Sequence, residues 1–112
     1  AQAILPPITP LRQADVPIAI GSEYNPLPPP LCSLKFMLHM ACTQFKLTPE
    51  ETVLGVTRNA ALALGLDNKG TIEQGQSADL CLWDIQHPAE LAYTFGVNPL
   101  LTSWVEGKKI SL

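Results

Sequence analysis

Prolines crowd the start of this chain: Pro6, Pro7, Pro10, Pro17, Pro26, Pro28, Pro29 and Pro30 are eight of its 11. Proline fixes φ and removes a backbone N–H, so residues 24–30 are expected to form an ordered or extended loop, not a helix. Between the proline blocks, Val16-Pro-Ile-Ala-Ile-Gly21 is apolar without alternation. That pattern predicts a strand that wants cover on both faces, as a central parallel strand between neighbouring strands and beneath helices has. Residues 9–14 are expected to be the end of a helix preceding it. The strand gives way to a polar loop at Glu23, in Gly21-Ser-Glu-Tyr-Asn-Pro26. A carboxylate at such a junction can face a site; a solvated or hydrogen-bonded glutamate is the competing reading.

Two helices should follow. Over 31–45 the apolar residues nearly encircle a helical wheel and leave Lys35, His39, Thr43 and Lys46 as one polar stripe. This predicts a largely buried helix with a solvated His39. The next helix has explicit start and stop signals: Thr48 as N-cap, Pro49 at the first helical position, Glu51 closing a capping box and Gly65 as left-handed C-cap. Its buried side is expected to be Val53, Leu54, Val56, Ala60, Ala61 and Leu64. After Gly65 the texture changes to turn and strand. Gly70 and Gly75 punctuate a turn region, residues 78–84 read as a strand apolar on both faces, and Glu106-Gly107 suits a two-residue hairpin turn between 103–105 and 108–110. The coarse layout is two helices followed by a β-rich tail.

Composition excludes several classes. Lys and Arg total 7 against 10 acidic residues and never cluster, for a net charge of -3. No basic patch exists to neutralise phosphates, so nucleic acid is not an expected partner. No apolar run approaches the roughly 20 residues that cross a bilayer, and the N-terminus lacks the parts of a signal peptide, so no membrane partner and a soluble, cytoplasmic protein are expected. Cys32, Cys42 and Cys81 are an odd set without C-x-x-C spacing, which fits reduced, small apolar fillers better than disulfides or a thiolate zinc site. His87, before Pro88, suits a solvated or packing role.

The stretch Gly70-Thr-Ile-Glu-Gln-Gly-Gln-Ser-Ala-Asp-Leu-Cys-Leu-Trp-Asp84 resembles the tail signature of the amidohydrolase superfamily, G-x-I-x-x-G-x-x-A-D-L. Thr57-Arg-Asn-Ala-Ala61 with Leu64-Gly65 resembles the helix before that signature. Gly21-Ser-Glu-Tyr-Asn-Pro26, Leu38-His-Met-Ala-Cys42 with Leu47-Thr-Pro-Glu-Glu51, and Ala89-Glu-Leu-Ala-Tyr-Thr-Phe-Gly-Val-Asn98 are most similar to the imidazolonepropionase family. The resemblance implies an α/β fold: the C-terminal portion of a (β/α)8 barrel, its last strand and helices over 1–66, with part of a small composite β-sandwich over 67–112. It implies a metal-dependent hydrolase of a cyclic amide, converting 4-imidazolone-5-propanoate to N-formimidoyl-L-glutamate in histidine degradation. A small-molecule substrate and a zinc or iron ion in the complete parent enzyme belong to that picture.

In the family the last barrel strand ends in G-T-D-x-N-P-G. By position, the role of its Asp as metal ligand and proton carrier falls on Glu23, and the substrate-holding role of its Asn falls on Asn25. Leu27 stands at the family's glycine and Pro28 at the small hydroxyl residue after it. A complete site of this kind also needs an H-x-H pair and a third histidine, and neither His39 nor His87 fits those positions. The likeness covers nearly the whole chain but roughly the last quarter of a family member, since a barrel alone runs to about 250 residues. A C-terminal fragment is therefore expected, inactive alone, without productive metal binding, and joined to itself or to the rest of its parent. Another cyclic amidase of the superfamily, or a non-catalytic structural or association module, are the alternatives.

Overall fold

The computed structural model describes residues 5–21, 34–93 and 98–110. They build a mixed α/β unit of five short helices and one three-stranded antiparallel sheet. Helix α1 (Ile8–Gln13) leads into residues 16–21, which form neither helix nor strand and join no sheet among the described residues. The expectation of a strand covered on both faces is corrected here. Ile18 and Ile20 are half-buried against the core, whereas Val16, Pro17 and Ala19 are exposed. A strand needs a partner for its N–H and C=O groups, and the described residues supply helices on one side only.

Helix α2 (Leu34–Thr43) is the hub. One side of it packs Ala41 with Ile8 and Leu47, flanked by Ile18, Ile20 and Phe45. The other side packs Leu38 and Cys42 against Ala92, flanked by Val56 and Leu91. Only Leu38, Ala41 and Cys42 of α2 are fully buried, and Leu34 is 46% exposed. The largely buried helix read from its apolar circumference is therefore only half covered. Ala92 belongs to α5 (Ala89–Tyr93), a short helix within the tail expected to be β-rich.

Thr48 caps α3 (Pro49–Val56) as its sequence dictates. Its hydroxyl accepts from Glu51 N–H at 3.1 Å, and the Glu51 carboxylate accepts from Thr48 N–H at 2.9 Å. The expected single helix to residue 64 breaks at Thr57, where φ is −118° and ψ −94°, and resumes as α4 (Arg58–Ala63). The Thr57 hydroxyl donates to the Val53 carbonyl at 2.6 Å, a local bond that competes with the helical ladder. Gly65, at φ +72°, closes α4: its N–H donates to Leu62 O and that of Leu66 to Ala61 O, the paired bonds of a Schellman cap.

The buried face of α3 and α4 also differs from the expectation. Ala61 is buried as expected, but Thr52, Gly55 and Asn59 are buried beside it, whereas Leu54 and Leu64 are 37% and 75% exposed. Gly55 and Asn59 lie against residues 18–20 and Thr52 against Cys42 of α2, while Val53, Val56, Ala60 and Leu64 line an open groove of about 510 Å³ toward the sheet.

The sheet has the order β1-β2-β3, with β1 (Leu80–Trp83), β2 (Leu100–Val105) and β3 (Lys108–Ile110). Leu80 pairs with Trp104 and Cys81 with Ser103, and an irregularity follows Leu82. Ser103 pairs with Ile110 and Val105 with Lys108 around Glu106 and Gly107, whose φ of 51° and 78° are those of a type I′ turn. Cys42 and Cys81 are free thiols, one buried and one exposed.

Candidate functional site

Glu23 and Asn25, the residues to which the family resemblance carries metal, proton and substrate roles, lie outside the described residues, as do Leu27 and Pro28. The described structure shows what holds the chain just before them. Ile20 N–H donates to the Gly55 carbonyl at 2.8 Å, and the Asn59 side-chain amide donates to the Ile18 carbonyl at 3.1 Å. Asn59 is 8% exposed, so this amide is a buried polar group with its partner in place. Gly55 permits the approach: a Cβ there would lie 2.8 Å from Ile20 Cδ1 and 3.1 Å from Ile18 O.

Neither Gly55 nor Asn59 was singled out from the sequence. The available signal was their cost to a helix, because glycine and asparagine in an Ala- and Leu-rich helical run are poor formers that need a packing reason.

The histidines serve the fold. His39 Nδ1 lies 2.9 Å from the Ala92 carbonyl, a contact that needs the proton on Nδ1 because a carbonyl only accepts. The solvated His39 expected from the polar stripe is thus corrected to a half-buried residue joining α2 to α5. His87 is exposed, as expected; its Nδ1 accepts from Ala89 N–H at 3.0 Å and shapes the entry to α5. The Glu90 carboxylate accepts from Gln86 and His87 N–H at 2.7 and 2.9 Å, and those donors lower its pKa. Among the described residues, no group of three or more His, Cys, Asp or Glu side chains is placed to hold a metal ion. The donor set of the described residues does not fit a zinc or iron site.

Among the described residues two ion pairs fix the frame. Arg12 of α1 grips Glu51 with both ends of its guanidinium, Nε to Oε2 at 2.9 Å and Nη2 to Oε1 at 2.8 Å. That grip, reinforced by Thr48 and opposed by desolvation, holds the Glu51 carboxyl at about 2, below its ordinary 4.5. Asp79, inside the Gly70–Asp84 signature, accepts from Glu106 N–H at 2.8 Å, from Ser77 Oγ at 3.2 Å and from Lys69 Nζ at 3.1 Å. The Glu106 amide first and then Lys69 pull its pKa down. One carboxylate thereby ties the hairpin turn to the start of β1 and to the loop after α4.

Among the described residues no helix is long and apolar enough to cross a membrane. A sequence profile of the amidohydrolase family matches residues 5–110. Imidazolonepropionase of Shewanella amazonensis is 57% identical over 98 residues, 87% of this chain and 24% of that protein. Imidazolonepropionase of Shewanella frigidimarina is 55% identical over 109 residues, 96% and 27% of the two chains. That of Ruegeria pomeroyi is 51% identical over 102 residues, 91% and 25%. The chain spans about a quarter of the length of the curated relatives it matches. With a family match that runs almost end to end and identities above half beside it, the chain belongs to the amidohydrolase family.

Proposed function

We propose that this chain is the part of an imidazolonepropionase-like hydrolase that brings Glu23 and Asn25 to the reaction site. The reaction adds water across a ring amide C–N bond, opening 4-imidazolone-5-propanoate to N-formimidoyl-L-glutamate. In this reading Glu23 is the metal carboxylate and proton carrier, Asn25 holds substrate or product, and zinc or iron is the ion of the complete enzyme. The single observation that carries it is 57% identity over 87% of the chain to a protein named for that activity. Residues 1–66 are read as the last strand and C-terminal helices of the barrel and 67–112 as strands of the small β-sandwich. Supporting that division, β1, β2 and β3 all lie between residues 80 and 110, whereas α1 to α4 precede residue 64.

The test is a graft in which these residues replace the matching quarter of the Shewanella amazonensis relative. The purified graft is assayed on 4-imidazolone-5-propanoate and on a six-membered dihydropyrimidine amide. Ring opening of the imidazolone alone supports the proposal. Turnover of the dihydropyrimidine instead assigns another cyclic amidase, and a folded graft without turnover of either leaves only a structural module.

A further inference from the structure

The sheet ends on two edges of different character. β3 is short, wholly exposed and carries Lys108 and Lys109, the charged kind of edge that stays in water. β1 is Leu-Cys-Leu-Trp, without charge or proline, and among the described residues β2 is its one sheet neighbour. Register fixes which of its groups lie on the free side. The two-residue turn makes Val105 and Lys108 a hydrogen-bonded pair, so Trp104 and Thr102 turn their N–H and C=O groups to β1, where they meet Leu80 and Leu82. The Asp84 N–H, two residues on, again points inward, to the Pro99 carbonyl at 2.8 Å. Cys81 and Trp83 therefore present their N–H and C=O groups to the free edge, where no described backbone group pairs with them.

The same two residues line the groove with Val53, Val56, Ala60 and Leu64, and Ile72, also on its lining, is 88% exposed. An unpaired, uncharged edge beside an unfilled apolar groove suits one kind of occupant. It is an extended segment whose backbone bonds Cys81 and Trp83 and whose alternate side chains, apolar, fill the groove. About three quarters of the length of the matched relatives lies outside the residues this chain covers. A segment of the same polypeptide acts at a high effective concentration, up to about millimolar, against which a dilute second copy competes poorly. We propose that β1 is the docking edge for an extended, alternately apolar segment from those remaining three quarters of the polypeptide. The inference rests on reading this chain as part of a hydrolase of that length, and adds the edge, the backbone groups bonded and the occupant.

The graft described above carries the test, read by amide exchange residue by residue and without reference to turnover. Leu80 and Leu82 are internal controls, because their amides are bonded within the sheet. With the edge occupied, the Cys81 and Trp83 amides should exchange at least 100-fold more slowly than their intrinsic rates, as those of Leu80 and Leu82 do. Protection at Leu80 and Leu82 without that slowing at Cys81 and Trp83 means an open edge and overturns the proposal. Leu82→p-benzoylphenylalanine identifies the occupant, since Leu82 lies on β1 and is 51% exposed. Irradiation should cross-link it to a peptide of the same molecule outside these 112 residues. A cross-link within the 112 residues, or one to a second molecule that disappears on dilution, overturns the proposal. If the graft does not fold as one chain, the same amides are read in this chain mixed with the remaining three quarters of the Shewanella amazonensis relative. A graft protected at Cys81 and Trp83 that turns over no imidazolone removes the catalytic reading and leaves the docking edge standing.

Discussion

Glu51 does two jobs with one carboxylate, capping α3 through Thr48 and pairing with Arg12 of α1. Its folded pKa of about 2 lies below the ordinary 4.5. The stability it contributes is therefore complete above about pH 4.5 and is lost as pH falls through about 2. Because the pair is partly exposed, the contribution is on the order of 1 kcal/mol, closer to a cap plus a screened ion pair than to the full shift. Glu51→Gln should reduce the protection of the α3 first-turn amides by that amount at pH 7, with the deficit shrinking by more than half at pH 3. Exchange referenced to intrinsic rates measures it, and an equal deficit at both pH values would contradict the ion-pair origin. The cap was legible because Thr48 and Glu51 are three residues apart; the Arg12 partner was not, because 39 residues separate it from Glu51. Asn59 escaped for the same reason, its partner Ile18 being 41 positions away.

Turns and helix ends were the most legible elements. Gly65 closes α4, and Glu106-Gly107 makes the hairpin, because a positive φ leaves a local residue signature. Glu106 is the less suited of that pair, a glutamate at φ 51° where asparagine is favoured. Glu106→Asn should raise hairpin protection by about 0.5 kcal/mol while keeping the backbone N–H that Asp79 accepts, read as slower exchange over 100–110. Gly70 is the opposite case. At φ +101° its Cβ would meet Ala61 Cβ at 2.8 Å and Thr57 O at 3.0 Å. Gly70→Ala should cost roughly 1–3 kcal/mol and loosen the loop from α4, as measured by exchange over 66–75; unchanged exchange would sink that reading. What local signals could not decide was the buried face. Periodicity selected Val53, Leu54, Val56, Ala60, Ala61 and Leu64; of these only Ala61 is buried, Val53, Val56, Ala60 and Leu64 line the open groove, and the rest of the packed face is Thr52, Gly55 and Asn59. Periodicity shows that a face is apolar, not which neighbour reaches it.

At the scale of the molecule, that groove and a chain about a quarter the length of its relatives have the same consequence. Leu62, Leu64, Ile72, Leu82 and Leu101 are each more than half exposed, a patchy apolar surface that favours association. The isolated chain is expected to scatter light as more than a monomer; a sharp monomeric profile with cooperative melting would contradict this. The element order of helices followed by a hairpin sheet was legible, but α5 was not. Its five residues are too few to show a period, and it is held by His39 and the Ala92 packing instead. The most direct measurement is the rate of 4-imidazolone-5-propanoate hydrolysis by the graft with Glu23→Gln beside Glu23→Asp. Removal of a positioned proton carrier should lower kcat by about 100-fold or more in Glu23→Gln, while Glu23→Asp, which keeps a carboxylate, retains turnover. A Glu23→Gln graft that turns over within twofold of the native one would contradict the role assigned to Glu23.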